Sequence, residues 1–183
     1  LKLGKLFRDS FNIAANLEFS IELDPNDMDA ARYDALAQMG VTRVSLGVQD
    51  FNPDVQAAVN RIQTYEQTRT VVGGMRRRGV GSVNLDVLYG LPHQTVSSVE
   101  ATVAQALSLD PDRMAVFGYA HVPWLKPHQR MIDEAALPSD RERFKQAQVA
   151  AASIKEAGSE AGGSDPVAKP TDRIIGHAKV ELL

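Results

Sequence analysis

Short apolar runs alternate along this chain with segments whose apolar residues recur at helical spacing. This alternation is typical of βα units whose strands form a parallel sheet, and it constrains the fold more than any other feature of the sequence. The apolar runs that predict strands lie at 17–23, 41–48, 82–88 and 113–119. No glycine-rich dinucleotide fingerprint follows them, and a complete eight-unit barrel takes about 250 residues. The 183 residues therefore predict an α/β fold, a partial (β/α) barrel with about four βα units.

Local sequence signals also predict where several helices begin. The apolar spacing over 1–12 indicates an amphipathic helix ahead of the first strand. Ser97 and Glu100 have the spacing of a capping box, and Ser139 and Glu142 repeat that spacing before the last long helix.

Composition excludes several classes of function. With 23 acidic and 20 basic residues the net charge is −3, which removes the electrostatic argument for nucleic acid as a partner. No stretch approaches the roughly 20 apolar residues of a membrane span. Charges at Lys2, Lys5 and Arg8 interrupt the place where a signal peptide keeps its apolar run. We therefore expect a cytoplasmic protein that contacts neither nucleic acid nor a membrane.

The chain contains no cysteine. It therefore has no disulfide, no thiolate nucleophile and no cysteine-held iron–sulfur cluster of its own. Any chemistry must come from other side chains or from groups that another part of a protein supplies.

Polar residues stand at the exits of all four predicted strands. In a parallel barrel, functional groups gather at the C-terminal ends of the strands and in the loops that follow them. The polar residues at these ends are Glu22, Asp24, Gln49, Asp50, Asp86, Tyr119 and His121, with Arg61 beyond the second strand. Their convergence on one face predicts a polar pocket.

The ionisable residues in this set have different interpretations. We interpret Asp24 and Asp50 as helix-cap or turn residues. Asp86 and Glu22 lie inside apolar runs, and because a buried carboxylate is costly unless it binds something, we expect these two to be functional. His121 fits either a general acid–base role or a structural one. The residues alone thus predict a partial-barrel enzyme with a Glu22/Asp86 acid–base pair.

Five ordered strings carry a resemblance to a known family. They are SIELDP at 20–25, GVQDF at 47–51, VNRIQ at 59–63, NLD and YGLPHQT within 84–95, and FGYAH at 117–121. In order and spacing the chain resembles the oxygen-independent coproporphyrinogen III oxidases, radical S-adenosylmethionine enzymes of haem biosynthesis. The resemblance covers nearly all of residues 1–158 and implies a partial barrel of the radical S-adenosylmethionine type, with this chain as its third to sixth units. Residues 159–183 are expected to form a divergent or degraded tail.

The resemblance also implies which residues contact the cofactor. The positions that match the family's adenosylmethionine contacts are Glu22, Gln49, Arg61, Asp86 and Ala120. Carboxylates can accept hydrogen bonds from ribose hydroxyls or from the ligand's ammonium, and Arg61 can clamp its carboxylate. Gln49 offers both donor and acceptor, while Ala120 can present backbone groups. The resemblance assigns no catalytic residue and no metal ligand to this chain.

The chain also departs from the family pattern. The family's Cys-x-x-x-Cys-x-x-Cys loop, which holds a 4Fe–4S cluster, precedes the point that matches Leu1, and the family's C-terminal domain has no counterpart. Where the family has Gly-x-Asp-His-Phe-Ala, the chain has GSDPVA at 163–168. These departures predict an internal fragment that lacks the cluster ligands and is inactive alone.

The activity that the resemblance implies is the oxidative decarboxylation of coproporphyrinogen III to protoporphyrinogen IX by a 5′-deoxyadenosyl radical, in a monomeric enzyme. Two alternatives stay open, a haem chaperone of the same superfamily and a non-catalytic remnant. Asp50, where chaperone-type relatives favour Ser, and the string YAHVP at 119–123 favour the oxidase. The missing cysteines and the altered tail favour a remnant for the chain as it stands.

Overall fold

The computed structural model describes residues 2–14, 16–157, 160–161 and 166–168. The strands are β1 (Ser20–Leu23), β2 (Arg43–Gln49), β3 (Ser82–Tyr89), β4 (Arg113–Gly118), β5 (Glu160–Ala161) and β6 (Pro166–Ala168). The α-helices are α1 (Lys2–Ser10), α2 (Ala30–Met39), α3 (Pro53–Ala58), α4 (Tyr65–Arg76), α5 (Val96–Ser108) and α6 (Asp140–Glu156). Short 3₁₀ helices lie at Pro25–Asp27, Pro127–Met131 and Glu134–Ala136.

Strands β1 to β4 pair in sequence order, and every pair among them is parallel. Helix α2 connects β1 to β2, helices α3 and α4 connect β2 to β3, and α5 connects β3 to β4. With α6 after β4, this arrangement confirms the predicted α/β fold with four βα units.

The described part of the predicted tail adds two short strands to the sheet. β6 pairs antiparallel with β4, and β5 pairs antiparallel with β6, so the order among the described strands is β1-β2-β3-β4-β6-β5. The parallel βα repeat therefore does not continue into β5 and β6. Most of the predicted tail over 159–183 lies outside the described residues.

Alternation along the strands sorts their side chains onto two faces of the sheet. Val44, Leu46, Val83 and Leu85 are fully buried. They pack in one core cluster with buried residues of the helices, among them Val71, Met75, Val99, Val103, Ala150 and Ile154. Because the apolar positions of β2 and β3 point to this helix-covered face, the intervening positions of the same strands are left for polar residues on the other face.

The start of α6 follows the predicted capping chemistry. The hydroxyl of Ser139 accepts a hydrogen bond from the backbone N–H of Glu142, and the Glu142 carboxylate accepts one from the backbone N–H of Ser139. This reciprocal pair is the predicted capping box, and it satisfies two donors that the helix end would otherwise leave open.

The predicted capping box at Ser97 and Glu100 is wrong. Helix α5 begins two residues earlier, with Thr95 as its N-cap and Ser98 as the reciprocal partner. The Ser98 hydroxyl accepts from the Thr95 N–H, so a serine fills the position where Glu or Gln is usual. The Thr95–Ser98 pair has the same three-residue spacing, and no local pattern favours it over Ser97 and Glu100.

The first strand lies at the edge of the described sheet. Among the described residues β1 pairs only with β2, and its other edge has no strand beside it. Both α1 and β1 are shorter than the predicted segments at 1–12 and 17–23. None of the helices in the described ranges combines the length and the apolar character that crossing a bilayer requires.

Candidate functional site

A polar cluster lies on the face of the sheet that the core helices do not cover. The Ser45 hydroxyl on β2 donates a hydrogen bond of 2.9 Å to Oδ2 of Asp86 on β3. The side-chain amide of Asn84 donates to the other Asp86 oxygen at 2.7 Å and to the Ser45 hydroxyl at 2.8 Å. Asp86 is half-buried, so both of its oxygens are oriented while part of the carboxylate faces the open side of the sheet.

The end of β2 contains a β-bulge between Gly47 and Gln49. Gln49 has φ of 65°, a left-handed conformation that is uncommon for a residue other than glycine. A Cβ at Gly47 would lie 2.8 Å from Nε2 of Gln49, so the Gln49 side chain lies closely against the Gly47 backbone. Strained conformations of this kind cluster at functional sites, where the surrounding structure holds them.

Arg61 extends from the loop after α3 to the same place. Its Nη2 donates a hydrogen bond of 3.1 Å to the Gly47 carbonyl and lies 3.6 Å from Oδ2 of Asp24. Both side chains of this ion pair are more than a third exposed, so the pair holds Arg61 only weakly. The buried Nε of Arg61 has no hydrogen-bond partner in the described structure. The guanidinium is therefore placed at the β2 exit with donor capacity left for an anionic ligand group.

Asp24 has the cap role that the sequence predicts. Its Oδ1 accepts a hydrogen bond of 2.9 Å from the backbone N–H of Asn26, at the start of the 3₁₀ helix Pro25–Asp27. The same carboxylate also faces Arg61, so it combines the cap with a weak ion pair.

The burial expected for Glu22 is wrong. Glu22 is exposed, because β1 is an edge strand and its non-core face is uncovered. In the parallel register Glu22 is paired with Ser45, so it lies beside the polar cluster. Glu22 therefore lies on the predicted face of the sheet, but its side chain is exposed to solvent and not buried as its apolar neighbours suggested.

The exit of β4 is held by side-chain contacts to the backbone. Gln129 accepts a hydrogen bond of 2.6 Å from the Val122 N–H and donates one of 3.0 Å to the Ala120 carbonyl. Arg143 donates to the Tyr119 carbonyl at 2.6 Å. Ala120 is exposed at this exit, with its carbonyl already engaged by Gln129.

His121 lies between two partners rather than alone. Its Nδ1 is 3.2 Å from the Tyr119 hydroxyl, and its Nε2 is 3.1 Å from a carboxylate oxygen of Glu134. Burial raises the pKa of the Tyr119 phenol. These contacts tie the β4 exit to the 3₁₀ helix Glu134–Ala136, which supports the structural interpretation of His121.

Asp50 is buried and satisfied by neutral donors. Its carboxylate accepts hydrogen bonds from the Asn52 N–H at 2.6 Å, the Thr102 hydroxyl at 2.9 Å and the Gln94 amide at 2.5 Å. Burial raises the pKa of this carboxyl, and these hydrogen bonds oppose the rise. The contacts confirm that Asp50 shapes the turn after β2.

The structure brings some of the predicted site residues into contact and leaves others one strand or more away. Gln49 and Arg61 meet at Gly47, which is in register with Asp86 on β3. Glu22 is one strand away on β1, and Ala120 follows β4. Among the described residues there is no group of three or more His, Cys, Asp or Glu side chains that could hold a metal ion.

The sequence interpretation missed Ser45 and Asn84, the two partners of Asp86. Each is a polar residue between two buried apolar ones on a strand, so period-two alternation places it on the face opposite the core. That signal was present in the sequence at both positions.

Comparisons with known proteins identify the family of the chain. The model of the radical SAM superfamily matches residues 2–106, more than half of the chain. The oxygen-independent coproporphyrinogen III oxidase of Bradyrhizobium diazoefficiens is 48% identical over 171 residues, 93% of this chain and 38% of the relative. Coproporphyrinogen III oxidase, anaerobic 1, of Cereibacter sphaeroides is 46% identical over 182 residues, 100% of this chain and 40% of the relative.

Solved structures give the same result. The coproporphyrinogen III oxidase HemN of Escherichia coli, a radical SAM enzyme, superposes with a TM-score of 0.91 at 39% identity, over 96% of this chain and 40% of that one. The archaeal Elp3 of Methanocaldococcus infernus, with a TM-score of 0.59 at 16% identity, shows a shared fold alone. The chain thus spans about two fifths of the length of the oxidases that it matches. By the family model and the parallel βα architecture together, the chain belongs to the radical SAM superfamily.

Proposed function

We propose that this chain supplies one wall of the adenosylmethionine site of an oxygen-independent coproporphyrinogen III oxidase. The proposed reaction is the oxidative decarboxylation of coproporphyrinogen III to protoporphyrinogen IX. The observation that carries the proposal is the Asp86 carboxylate, oriented by Ser45 and Asn84 on the open face of the sheet, in register with the glycine that Arg61 contacts. The similarity to relatives named as these oxidases supports the reaction.

The residues at the strand exits fit the polar groups of adenosylmethionine. Arg61 retains donors suited to the ligand's carboxylate, and a guanidinium can hold a carboxylate through two parallel hydrogen bonds. Asp86 has one hydrogen bond on each oxygen, which leaves acceptor capacity for a ribose hydroxyl or an ammonium group. In this proposal Gln49 and Glu22 add polar contacts from β2 and β1, and Ala120 lines the pocket at the β4 exit.

The cofactors would supply the radical chemistry, and the chain would supply position. Next to a reduced 4Fe–4S cluster, bound adenosylmethionine would supply the radical chemistry that the proposed reaction needs. The chain has no cysteine, so it does not fit the cluster, whose ligands must come from another part of the polypeptide. The residues of this chain would orient the ligand and hold its charged groups.

Apolar side chains after β4 suit a large tetrapyrrole substrate. Phe117 on β4 is exposed, as are Trp124, Leu125 and Met131 in the segment that follows. Exposed apolar groups next to a polar site are typical of a surface that a ligand covers. We assign this segment to part of the substrate cavity of a monomeric, cytoplasmic enzyme.

A hybrid protein tests the proposed function. In the Cereibacter sphaeroides relative that aligns with all of this chain, the matching segment is replaced by residues 1–183. This protein, called the hybrid below, is reconstituted with iron and sulfide without oxygen. We expect it to cleave adenosylmethionine to 5′-deoxyadenosine and to form protoporphyrinogen IX.

The exposed Asp54→Asn substitution is the matched control and should leave both products unchanged. A folded hybrid that holds its cluster and forms no 5′-deoxyadenosine would contradict the proposed function.

A further inference from the structure

A connected network of buried polar side chains lies beneath the exits of β2 and β3. Its centre is Asp50, which is 1% exposed and accepts hydrogen bonds from the Thr102 hydroxyl on α5 and from the Gln94 side chain. These two donors and the backbone N–H of Asn52, which also binds the Asp50 carboxylate, are all neutral groups. Burying a carboxylate that has only neutral donors destabilises the fold, so we look for a role of Asp50 other than packing.

One arm of the network fixes the segment that carries Arg61. The buried Gln56 amide donates to the Asp50 carbonyl at 2.8 Å and to the Gln63 carbonyl at 2.5 Å. The Gln56 side-chain oxygen accepts from the Gln63 N–H at 3.1 Å, and its backbone carbonyl accepts from the Arg61 N–H at 2.9 Å. The loop around Arg61 is therefore attached to the residue that follows Gln49.

The other arm fixes the exit of β3. Gln94 Nε2, which binds Asp50, also donates to the Leu88 carbonyl at 2.9 Å, and the Gln94 side-chain oxygen accepts from the Leu91 N–H at 2.7 Å. Gln146 on α6 donates to the Gln94 carbonyl at 3.0 Å and accepts from the Gly90 N–H at 2.9 Å. The ends of β2 and β3 and the helix α6 are thus connected through Asp50 and two glutamines.

We infer that Asp50 is a positioning residue of the adenosylmethionine site, which it serves by holding Gln49 and Arg61 in place relative to β3. The inference rests on the proposed function. The Gln56 arm ends on the backbone of Asp50, next to Gln49, and on the loop that carries Arg61. The Gln94 arm joins the Asp50 carboxylate to the exit of β3, so the network lies at the strand exits. It keeps the strained backbone of Gln49 and the weakly paired side chain of Arg61 in one arrangement.

A double-mutant cycle in the hybrid tests this inference by calorimetric titration of adenosylmethionine into the cluster-bearing protein. Asp50→Asn keeps the shape of the side chain and removes its charge, and we expect it to weaken binding about tenfold. In an Arg61→Ala background the same substitution should weaken binding less than about threefold, because Arg61 is gone and only the contact of Gln49 is left for Asp50 to position. Asp54→Asn, a neighbouring exposed change of the same kind, should not alter the dissociation constant.

The outcomes separate this inference from the proposed function. A tenfold loss that persists undiminished in the Arg61→Ala background, or Asp50→Asn binding as tightly as the parent, overturns the inference alone. A folded, cluster-bearing parent hybrid that does not bind adenosylmethionine overturns both. If Asp50→Asn fails to fold, Thr102→Val is put through the same cycle, since it keeps the carboxylate and removes one donor 2.9 Å from it.

Discussion

Ser45 on β2 donates a hydrogen bond of 2.9 Å to Oδ2 of Asp86 on β3, across the parallel pairing of these strands. Asn84 donates to the second oxygen of the same carboxylate, so side chains of the sheet orient both oxygens of Asp86. The carboxylate is half-buried and lies on the face opposite the helix-packed core. This arrangement makes Asp86 the best oriented of the residues assigned to the adenosylmethionine site.

Asp86→Ala in the hybrid should abolish 5′-deoxyadenosine formation and leave the cluster absorbance intact, because Asp86 is assigned to the organic cofactor. Ser45→Ala should lower the rate less, by about tenfold, since Asn84 still orients the carboxylate and a hydrogen bond to a charged group contributes about 1.5–3 kcal/mol. Product analysis by liquid chromatography measures both. Undiminished formation of 5′-deoxyadenosine by Asp86→Ala would remove this residue from the site.

Gln49→Gly should separate stability from binding. A non-glycine residue at a φ of 65° carries a cost of about 1–2 kcal/mol, which glycine avoids while losing more chain entropy on folding. We expect a free energy of unfolding that is unchanged or up to about 1 kcal/mol higher, together with weaker adenosylmethionine binding. Urea unfolding and calorimetry on the same hybrid sample test the two effects. A variant that binds as the parent does would show that the Gln49 side chain makes no contact with the ligand.

The raised pKa of Asp50 predicts a pH dependence of stability. Burial is the largest cause of the rise above the ordinary value of 3.8, against hydrogen bonds from Gln94, Asn52 and Thr102. Because the folded state favours the protonated carboxyl, its contribution to stability is fully present below pH 3.8 and is lost as the pH rises through the raised pKa. The stability of Asp50→Asn relative to the parent should therefore increase with pH over this acidic window and then level off.

Urea unfolding of the cluster-free hybrid at a series of pH values measures this difference. Asp54→Asn is the matched control, and its difference from the parent is subtracted from that of Asp50→Asn. A relative stability of Asp50→Asn that is flat or falls with pH would contradict the assignment of a raised pKa to Asp50.

The chain alone, treated with iron and sulfide under anaerobic conditions, should show no absorbance of a 4Fe–4S cluster. The reason is that it contains no cysteine to provide thiolate ligands. The hybrid, to which the relative contributes the family's cysteine loop, is the positive control. A stoichiometric cluster on the isolated chain would mean that residues other than cysteine can ligate it.

Much of the fold could be predicted because it depends on local patterns. Short apolar runs predicted the four parallel strands, and the spacing of Ser139 and Glu142 predicted the start of α6. The predicted box at Ser97 and Glu100 failed because it overlaps a second pair with the same three-residue spacing, Thr95 and Ser98, and the helix begins at that second pair.

The sequence predicted which residues lie near the site, but not how buried they are or which partners they bind. The exposure of Glu22 depends on whether another strand covers β1, which no local pattern records. The surroundings of Asp50 depend on contacts with Gln94 and Thr102, more than 40 residues away along the chain. Long-range packing of this kind decides whether a carboxylate is buried and hydrogen-bonded, as Asp50 is, or exposed to solvent, as Glu22 is.

Residues from four βα units are proposed to form one wall of an adenosylmethionine site, and calorimetric titration of adenosylmethionine into the cluster-bearing hybrid and into its Arg61→Ala variant provides the decisive comparison. We expect the variant to bind adenosylmethionine at least tenfold more weakly, a change of about 1.4 kcal/mol or more, because Arg61 is proposed to hold the ligand's carboxylate. Equal dissociation constants for the two proteins, with both folded and carrying the cluster, would contradict it.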